Sequence, residues 1–77
     1  MHYGQYELNA RNLLCPLPVI RTQDRVRELN PGDRLIVTCT DPGALHDIPA
    51  WCRINGHRVI DSSSEARDIS ITIEVCA

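Results

Sequence analysis

The sequence contains no lysine and no phenylalanine, and its aromatic residues are two tyrosines and one tryptophan. The absence of lysine excludes the phosphate-binding loops and Schiff-base enzymes that depend on a lysine amine. So few aromatic rings leave little surface on which nucleic-acid bases could stack. No apolar run reaches the roughly 18 residues of a membrane-spanning helix, and residues 1–5 lack the basic and apolar regions of a secretion signal. We therefore expect a cytoplasmic protein that makes no membrane contact.

The length and charge of the chain limit its size and its partners. Its 77 residues predict a single domain, residues 1–77, with a thin hydrophobic core. Eight arginines and ten acidic residues give a net charge of −2. Proteins that bind nucleic acid through its phosphates usually have an excess of basic residues. Direct binding of nucleic acid is therefore not expected.

Hydrophobic spacing predicts six elements in the order βαβαββ. The predicted strands are residues 6–10, 35–40, 57–61 and 69–76, the predicted helices are residues 17–29 and 44–55, and residues 62–68 are a predicted polar turn. Helical connections favour parallel neighbours with right-handed crossovers, whereas the final hairpin is antiparallel. The expected fold class is α/β (α+β): a two-layer α/β sandwich with a four-stranded mixed sheet and two helices on one face.

A proline lies in the first turn of one predicted helix and inside the other. Pro18 suits the first turn of the first helix, because its φ angle fits and its missing N–H would be unpaired there. Pro49 leaves two alternatives: the second helix begins with Asp47 as its N-cap and Pro49 in its first turn, or a short turn precedes Pro49. The buried stripe of the first helix is predicted to be Val19, Thr22, Gln23, Val26 and Leu29.

The segment that indicates chemistry is Cys15-Pro16-Leu17-Pro18, between the first strand and the first helix. A cysteine at a helix amino terminus lies near the positive end of the helix dipole, which favours the thiolate. Cys15 is therefore the predicted nucleophile. Because Pro16 and Pro18 have no N–H groups, the decrease in its pKa is expected to be modest.

The same two prolines are expected to stiffen the loop and to hold the sulfur of Cys15 in one orientation. A Cys-x-x-Cys oxidoreductase would have its second cysteine at the position of Pro18. Without that second thiol, nothing three residues away can attack a sulfur atom bound to Cys15, and a persulfide there would persist. The motif predicts a carrier that takes the outer sulfur of a donor persulfide and yields it to an acceptor thiol.

The remaining cysteines are assigned other roles. Without an export signal, all four are interpreted as reduced thiols. Cys39 continues the apolar face of a central strand and Cys52 that of the second helix, so both are predicted core residues. Cys76 belongs to the outward face of the last strand and should be exposed, with a resolving role as the less favoured alternative. No Cys-x₂₋₄-Cys pair is present, so no metal site is expected.

Three further residues are interpreted with an alternative or a default. Arg21 is a supporting residue that steers an acidic partner toward Cys15 or stabilises its anion, and an ordinary solvated helix face is the alternative. Asp41 is a helix-start signal, with a place on a partner-facing rim as the alternative. Trp51 is assigned to the core.

The chain resembles the TusA/SirA-like family of small sulfur-carrier proteins over nearly its whole length. The resemblance rests on residues 8–20 with their Cys-Pro-x-Pro motif, on residues 40–43 and 47–52, and on Gly56-His57. The chain departs from the family at Asn9, where aspartate is usual, and at Asn12, where glycine is frequent, although asparagine tolerates the left-handed region. It also lacks the basic carboxyl-terminal segment of many members.

This resemblance implies a βαβαββ sandwich in which Cys15 becomes a persulfide. The residues predicted above to support Cys15 are Pro16, Pro18 and Arg21. The implied donors are cysteine desulfurases or rhodanese-like proteins, and the implied acceptors are DsrE- or TusD-like proteins. The sulfur would serve tRNA thiolation, molybdenum-cofactor biosynthesis or sulfur oxidation, and no metal or organic cofactor is implied. Two alternatives stay open: an RNA-binding or regulatory module, because the fold resembles the carboxyl-terminal domain of a translation initiation factor, and a thiol redox sensor.

Overall fold

The computed structural model describes residues 4–76. Residues 1–3 and residue 77, which belong to the predicted single domain, lie outside the described residues. The elements are β1 (Gln5–Ala10), α1 (Leu17–Val26), β2 (Arg34–Cys39), α2 (Ala44–Asn55), β3 (Arg58–Glu65) and β4 (Asp68–Glu74). Neither helix of the described chain is long and apolar enough to cross a membrane.

The four strands form one mixed sheet in the order β1-β2-β4-β3. β1 and β2 are parallel, with Gln5 opposite Arg34 and Ala10 opposite Cys39. β4 is antiparallel to both β2 and β3. The predicted βαβαββ order, the mixed four-stranded sheet and the terminal hairpin are confirmed.

The core lies between the sheet and the two helices. Every second residue of β2 and β4 is buried, because side chains alternate between the two faces of a strand. The buried strand residues meet those of the helices in one cluster, whose members include Leu35, Val37, Cys39, Ile71 and Ile73 from the sheet and Val26, Ile48 and Cys52 from the helices. In the predicted stripe of α1, Thr22 and Val26 are buried, whereas Val19, Gln23 and Leu29 are half-buried. Trp51 is also half-buried: it packs against the cluster and stacks on His57.

α1 ends at Val26, three residues before the predicted end at Leu29. The chain continues in a tighter turn, in which the N–H groups of Glu28 and Leu29 donate to carbonyls only three residues back. The prediction followed apolar spacing as far as Leu29 and placed the stop at the turn residues Asn30-Pro31-Gly32-Asp33.

α2 spans Ala44–Asn55, as its apolar spacing predicts, and the alternative in which Asp47 is the N-cap is wrong. Pro49 lies in the second turn, where it removes the bond that its N–H would make to the Leu45 carbonyl. Leu45 is exposed at the start of the helix, so water can reach this carbonyl. At the other end, Gly56 has a φ of 82° and closes the helix, as its position after Asn55 predicts.

β3 is longer than predicted, because residues 62–65 continue the strand instead of forming a polar turn. Ser62 and Ser64 lie opposite Ile71 and Ile69 of β4, which supplies their ladder partners. The whole of β3 is exposed at the edge of the sheet, where serines are tolerated. The turn shrinks to two residues, and Ala66 adopts a φ of 56° there.

Asp33 connects the start of β1 to the turn before β2. Its nearly buried carboxylate accepts hydrogen bonds from the N–H groups of Gly4 and Asn30, each at 2.9 Å. Both bonds favour the charged carboxylate and lower its pKa below the ordinary value of 3.8.

We therefore expect the charged Asp33 to stabilise the fold at neutral pH and to lose this effect at acid pH. Because the pKa is lower in the folded than in the unfolded chain, the stabilisation is complete above pH 3.8 and is lost as the pH falls through the folded-state pKa. Urea unfolding of the wild type and Asp33→Asn, from about pH 7 to about pH 2, should show a less stable variant at neutral pH with a flatter acid limb. An unchanged acid limb would contradict this assignment, and Asp61→Asn on β3 is the control.

Candidate functional site

The loop that carries Cys15 lies at the end of the sheet where β1 and β2 both finish. Asn12 turns the chain with a φ of 63°, the left-handed conformation expected of a residue that stands where the family often has glycine. Its N–H donates to the Thr40 hydroxyl at 2.9 Å, which ties the loop to the end of β2. Cys15 follows, exposed, two residues before α1 begins.

Asp41 fixes the backbone of this loop against the start of α2. Its Oδ2 accepts the N–H of Cys15 at 2.8 Å, and its Oδ1 accepts the N–H of Gly43 at 3.1 Å. Gly43 is the residue before α2, so the prediction of Asp41 as a helix-start signal is confirmed. The contact with Cys15 adds a second role that the sequence analysis did not assign.

Asp47 contacts the sulfur itself. The Cys15 thiol donates to Oδ2 of Asp47 across 2.9 Å, from the loop before α1 to the first turn of α2. This hydrogen bond raises the pKa of Cys15 above its ordinary value, and partial desolvation and the negative charges of Asp47 and Asp41 act in the same direction. The predicted preference for the thiolate is therefore wrong: the isolated chain favours the protonated thiol.

The amino terminus of α1 offers Cys15 little compensation. Its N-cap position is Pro16 and its second residue is Pro18, neither of which has an N–H group, and the N–H of Leu17 donates to the Leu14 carbonyl. A helix terminus stabilises an anion mainly through free N–H groups. The prediction that the two prolines would weaken this effect holds, and the neighbouring carboxylates then reverse its sign.

The predicted supporting residues occupy different positions. Pro18 is buried in the first turn of α1, and its carbonyl accepts the Thr22 hydroxyl at 2.8 Å. Pro16 is exposed beside the sulfur, and the Cys15–Pro16 peptide bond is cis. Arg21 is exposed on α1, and no hydrogen bond or ion pair within residues 4–76 joins it to Cys15.

The other three cysteines lie away from this loop or inside the fold. Cys39 and Cys52 are buried and Cys76 is exposed, as predicted. Burial raises the pKa of Cys52 to about 11. Cys76 follows β4 beside the start of β2, and the length of β2 separates that end of the sheet from the Cys15 loop by about 17 Å. This placement contradicts a resolving role for Cys76 toward Cys15 within one molecule.

Asp47 is the residue in contact with the sulfur that sequence reasoning missed, because it was interpreted only as a helix cap. A signal was present: in a parallel pair, the segments after β1 and β2 leave the same end of the sheet. That rule brings the start of α2, and its two carboxylates, beside Cys15.

Comparison with known proteins gives consistent results. The family model "Sulfurtransferase TusA" matches residues 6–75. Sulfur carrier protein TusA of Pseudomonas aeruginosa is 42% identical over 59 residues, which cover 77% of this chain and 75% of that protein. YrkI of Bacillus subtilis is 36% identical over 67 residues, which cover 87% of this chain and 89% of that protein. The crystal structure of a SirA-like protein from Desulfitobacterium hafniense has the same fold, with a TM-score of 0.81 at 19% identity over 94% of this chain and 99% of that one.

The four thiols should differ in their reaction with iodoacetamide. In the native protein we expect modification of Cys15 and Cys76 only, with Cys39 and Cys52 reacting after unfolding. The rate at Cys15 should rise with pH around a midpoint above 9.0, because the thiolate reacts and Asp47 favours the thiol.

Peptide mass spectrometry of a pH series measures these rates. The matched control is a synthetic peptide of residues 11–20, which keeps the loop sequence and lacks α2. Faster alkylation of Cys15 in the protein than in the peptide at neutral pH would contradict this prediction.

Proposed function

The chain belongs to the TusA sulfurtransferase family, and we propose that it is a sulfur carrier that holds sulfane sulfur as a persulfide on Cys15. The observation that carries this proposal is the exposed Cys15 on a loop tied by hydrogen bonds to Thr40 and Asp41 of the connection between β2 and α2. A sulfur atom fixed in this way can meet a reactive sulfur of another protein with little loss of conformational freedom. The protein acts as a relay between partners rather than as a stand-alone catalyst.

Loading is an exchange between sulfur atoms and needs no oxidant. The thiolate of Cys15 attacks the outer sulfur of a donor persulfide, and a bond forms between that sulfur and Cys15 Sγ. The S–S bond of the donor breaks, and the donor sulfur leaves as a thiolate that takes up the proton released by Cys15. Delivery repeats these steps, with an acceptor thiolate attacking the outer sulfur on Cys15.

The positions of the other cysteines support a carrier over a disulfide oxidoreductase. An oxidoreductase needs a second thiol within reach of the first. Here Pro18 occupies the fourth position of the motif, and Cys76 lies at the other end of the sheet. Sulfur bound to Cys15 is therefore open to attack from another molecule and shielded from attack within its own.

Exposed apolar side chains near Cys15 support docking of protein partners. Leu14 is 74% exposed, Leu17 is 44% exposed, and Leu45 at the start of α2 is 43% exposed. Apolar groups on the elements that meet at a reactive sulfur fit a contact surface for another protein. By resemblance to the family, the donors are cysteine desulfurases or rhodanese-like proteins, the acceptors are DsrE- or TusD-like proteins, and the sulfur serves tRNA thiolation, molybdenum-cofactor biosynthesis or sulfur oxidation.

The assignment of Cys15 predicts where sulfur is added. After incubation with a persulfide donor, peptide mass spectrometry should locate one added sulfur atom on Cys15, because its sulfur is exposed and within reach of the donor. Cys15→Ser should abolish this loading, whereas Cys76→Ser, the matched control at the other exposed cysteine, should retain it.

Three results would contradict the proposed function. Loading that survives Cys15→Ser and disappears in Cys52→Ala or Cys76→Ser would move the site. A salt-dependent RNA affinity undiminished by Cys15→Ser, with no loading of the wild type, would favour an RNA-binding module. A stable Cys15 disulfide in cells, again without loading, would favour a redox sensor.

The apolar contact surface can be tested separately from the sulfur. Leu14→Asn should slow transfer from a purified cysteine desulfurase by about tenfold, because a leucine side chain that becomes buried contributes on the order of 1.5 kcal/mol. Loading from a small-molecule persulfide should not change. Ile54→Asn is the matched control, since Ile54 is 83% exposed near the far end of α2. Equal effects of the two variants would contradict docking at Leu14.

A further inference from the structure

The surroundings of Cys15 are opposite in charge to those of most reactive cysteines. Such cysteines lie beside lysine, arginine or protonated histidine, which stabilise the thiolate. Here the thiol of Cys15 donates to Asp47, and the backbone N–H of Cys15 donates to Asp41. Two carboxylates thus face a residue whose reaction passes through an anion.

The cationic groups of the neighbouring elements do not offset these carboxylates. Arg11, in the loop before Cys15, is held by Asp68 through two hydrogen bonds. Arg21 on α1 and His46 on α2 are exposed to solvent. Asp47 and Asp41 are the charged groups that contact Cys15 through hydrogen bonds within residues 4–76.

We propose that Asp47 is a positioning residue that retains the cargo, slowing the loss of sulfane sulfur from the loaded protein to small thiols through its contact with Cys15. This inference rests on the proposed function, because it concerns the persulfide on Cys15. Asp47 acts through Sγ of Cys15 and does not itself form a bond to the transferred sulfur atom.

The chemistry of unloading explains the retention. A small thiolate such as that of glutathione attacks the outer sulfur, a new S–S bond forms, and the bond between that sulfur and Cys15 Sγ breaks. The electron pair of the broken bond stays on Sγ, so Cys15 leaves as a thiolate directly beside the Asp47 carboxylate. A thiol that ionises reluctantly is a poor leaving group. The carboxylate therefore disfavours the step by which sulfur would be lost to the surroundings.

The test compares the wild type with Asp47→Asn, which removes the charge at nearly constant size, and with Asp47→Glu, which restores a carboxylate. Asp61→Asn removes an exposed carboxylate from β3 and is the control for net charge. Two rates are measured for each protein: alkylation of unloaded Cys15 by iodoacetamide across a pH series, and loss of labelled sulfane sulfur from loaded Cys15 to glutathione at neutral pH. Circular dichroism confirms that each variant is folded.

For Asp47→Asn we expect the midpoint of the alkylation profile to move to lower pH. Because nucleophilicity falls as acidity rises, the rate at neutral pH should increase by only about threefold for each tenfold gain in thiolate, and the rate at the alkaline plateau should decrease. Sulfane sulfur should be lost to glutathione at least about threefold faster, since the leaving thiol is more acidic. Asp47→Glu should recover part of the retention, and Asp61→Asn should match the wild type.

The outcomes separate this inference from the proposed function. If the wild type takes up no sulfur on Cys15, the proposed function fails. If the wild type loads normally and Asp47→Asn loses its sulfur at the wild-type rate, the retention role fails while the proposed function stands. An alkylation profile that stays at the wild-type midpoint in Asp47→Asn would also overturn the role assigned to Asp47.

Discussion

The parallel pairing of β1 with β2 is the constraint on which the site depends. It places Ala10 beside Cys39, so that the chain leaves both strands at the same end of the sheet. The segment after β1 carries Cys15, and the segment after β2 carries Asp41 and then Asp47. Asp41 and Asp47 follow Cys15 by 26 and 32 positions in the sequence, and the fold brings both within hydrogen-bond distance of it. The buried residues of β2 and β4 stabilise this pairing, and the loop residues themselves add few apolar contacts.

The two carboxylates have separable effects on the same residue. Asp41 acts on the backbone, because it joins the N–H of Cys15 to that of Gly43 and so couples the loop to the start of α2. Asp47 acts on the side chain, because it accepts the thiol hydrogen. Asp41 therefore holds the loop in place and adds a smaller charge effect, whereas the hydrogen bond to Asp47 is the largest cause of the raised pKa of Cys15. The helix dipole of α1 has little influence, since the prolines of the motif remove the donors through which it would act.

Local patterns in the sequence were sufficient for the order of the elements, for the burial of Cys39 and Cys52 and for the exposure of Cys76. These features follow from the alternation of a strand and the spacing of a helix, which a reader of the sequence can count. The positive φ of Asn12 was expected from the family resemblance, because asparagine tolerates the left-handed region where the family often has glycine. The Cys-Pro-x-Pro motif directed attention to Cys15, although the role of that residue rests on the family and on the proposed chemistry.

The features that were mispredicted depend on contacts between distant segments or on competition between local signals. Ser62 and Ser64 have turn-like composition, but pairing with β4 keeps them in a strand. Leu29 has helical spacing, but the chain tightens after Val26 into a turn with hydrogen bonds between residues three apart. The protonation of Cys15 depends on Asp47, which only the folded sheet brings to the sulfur. For the serines of β3 and for Cys15, the missing information was a neighbour in space.

The position of Cys76 has a consequence for the behaviour of the protein in air. Cys76 and Cys15 are both exposed and lie at opposite ends of the sheet, so each copy can form disulfides with two other copies. A disulfide between Cys15 of one copy and Cys76 of the next leaves one unreacted cysteine at each end of the linked pair. Further copies can therefore be added, instead of the pair closing as a symmetric dimer. Aerobic storage therefore favours disulfide-linked linear oligomers, and a reducing buffer keeps the protein monomeric with respect to such disulfides.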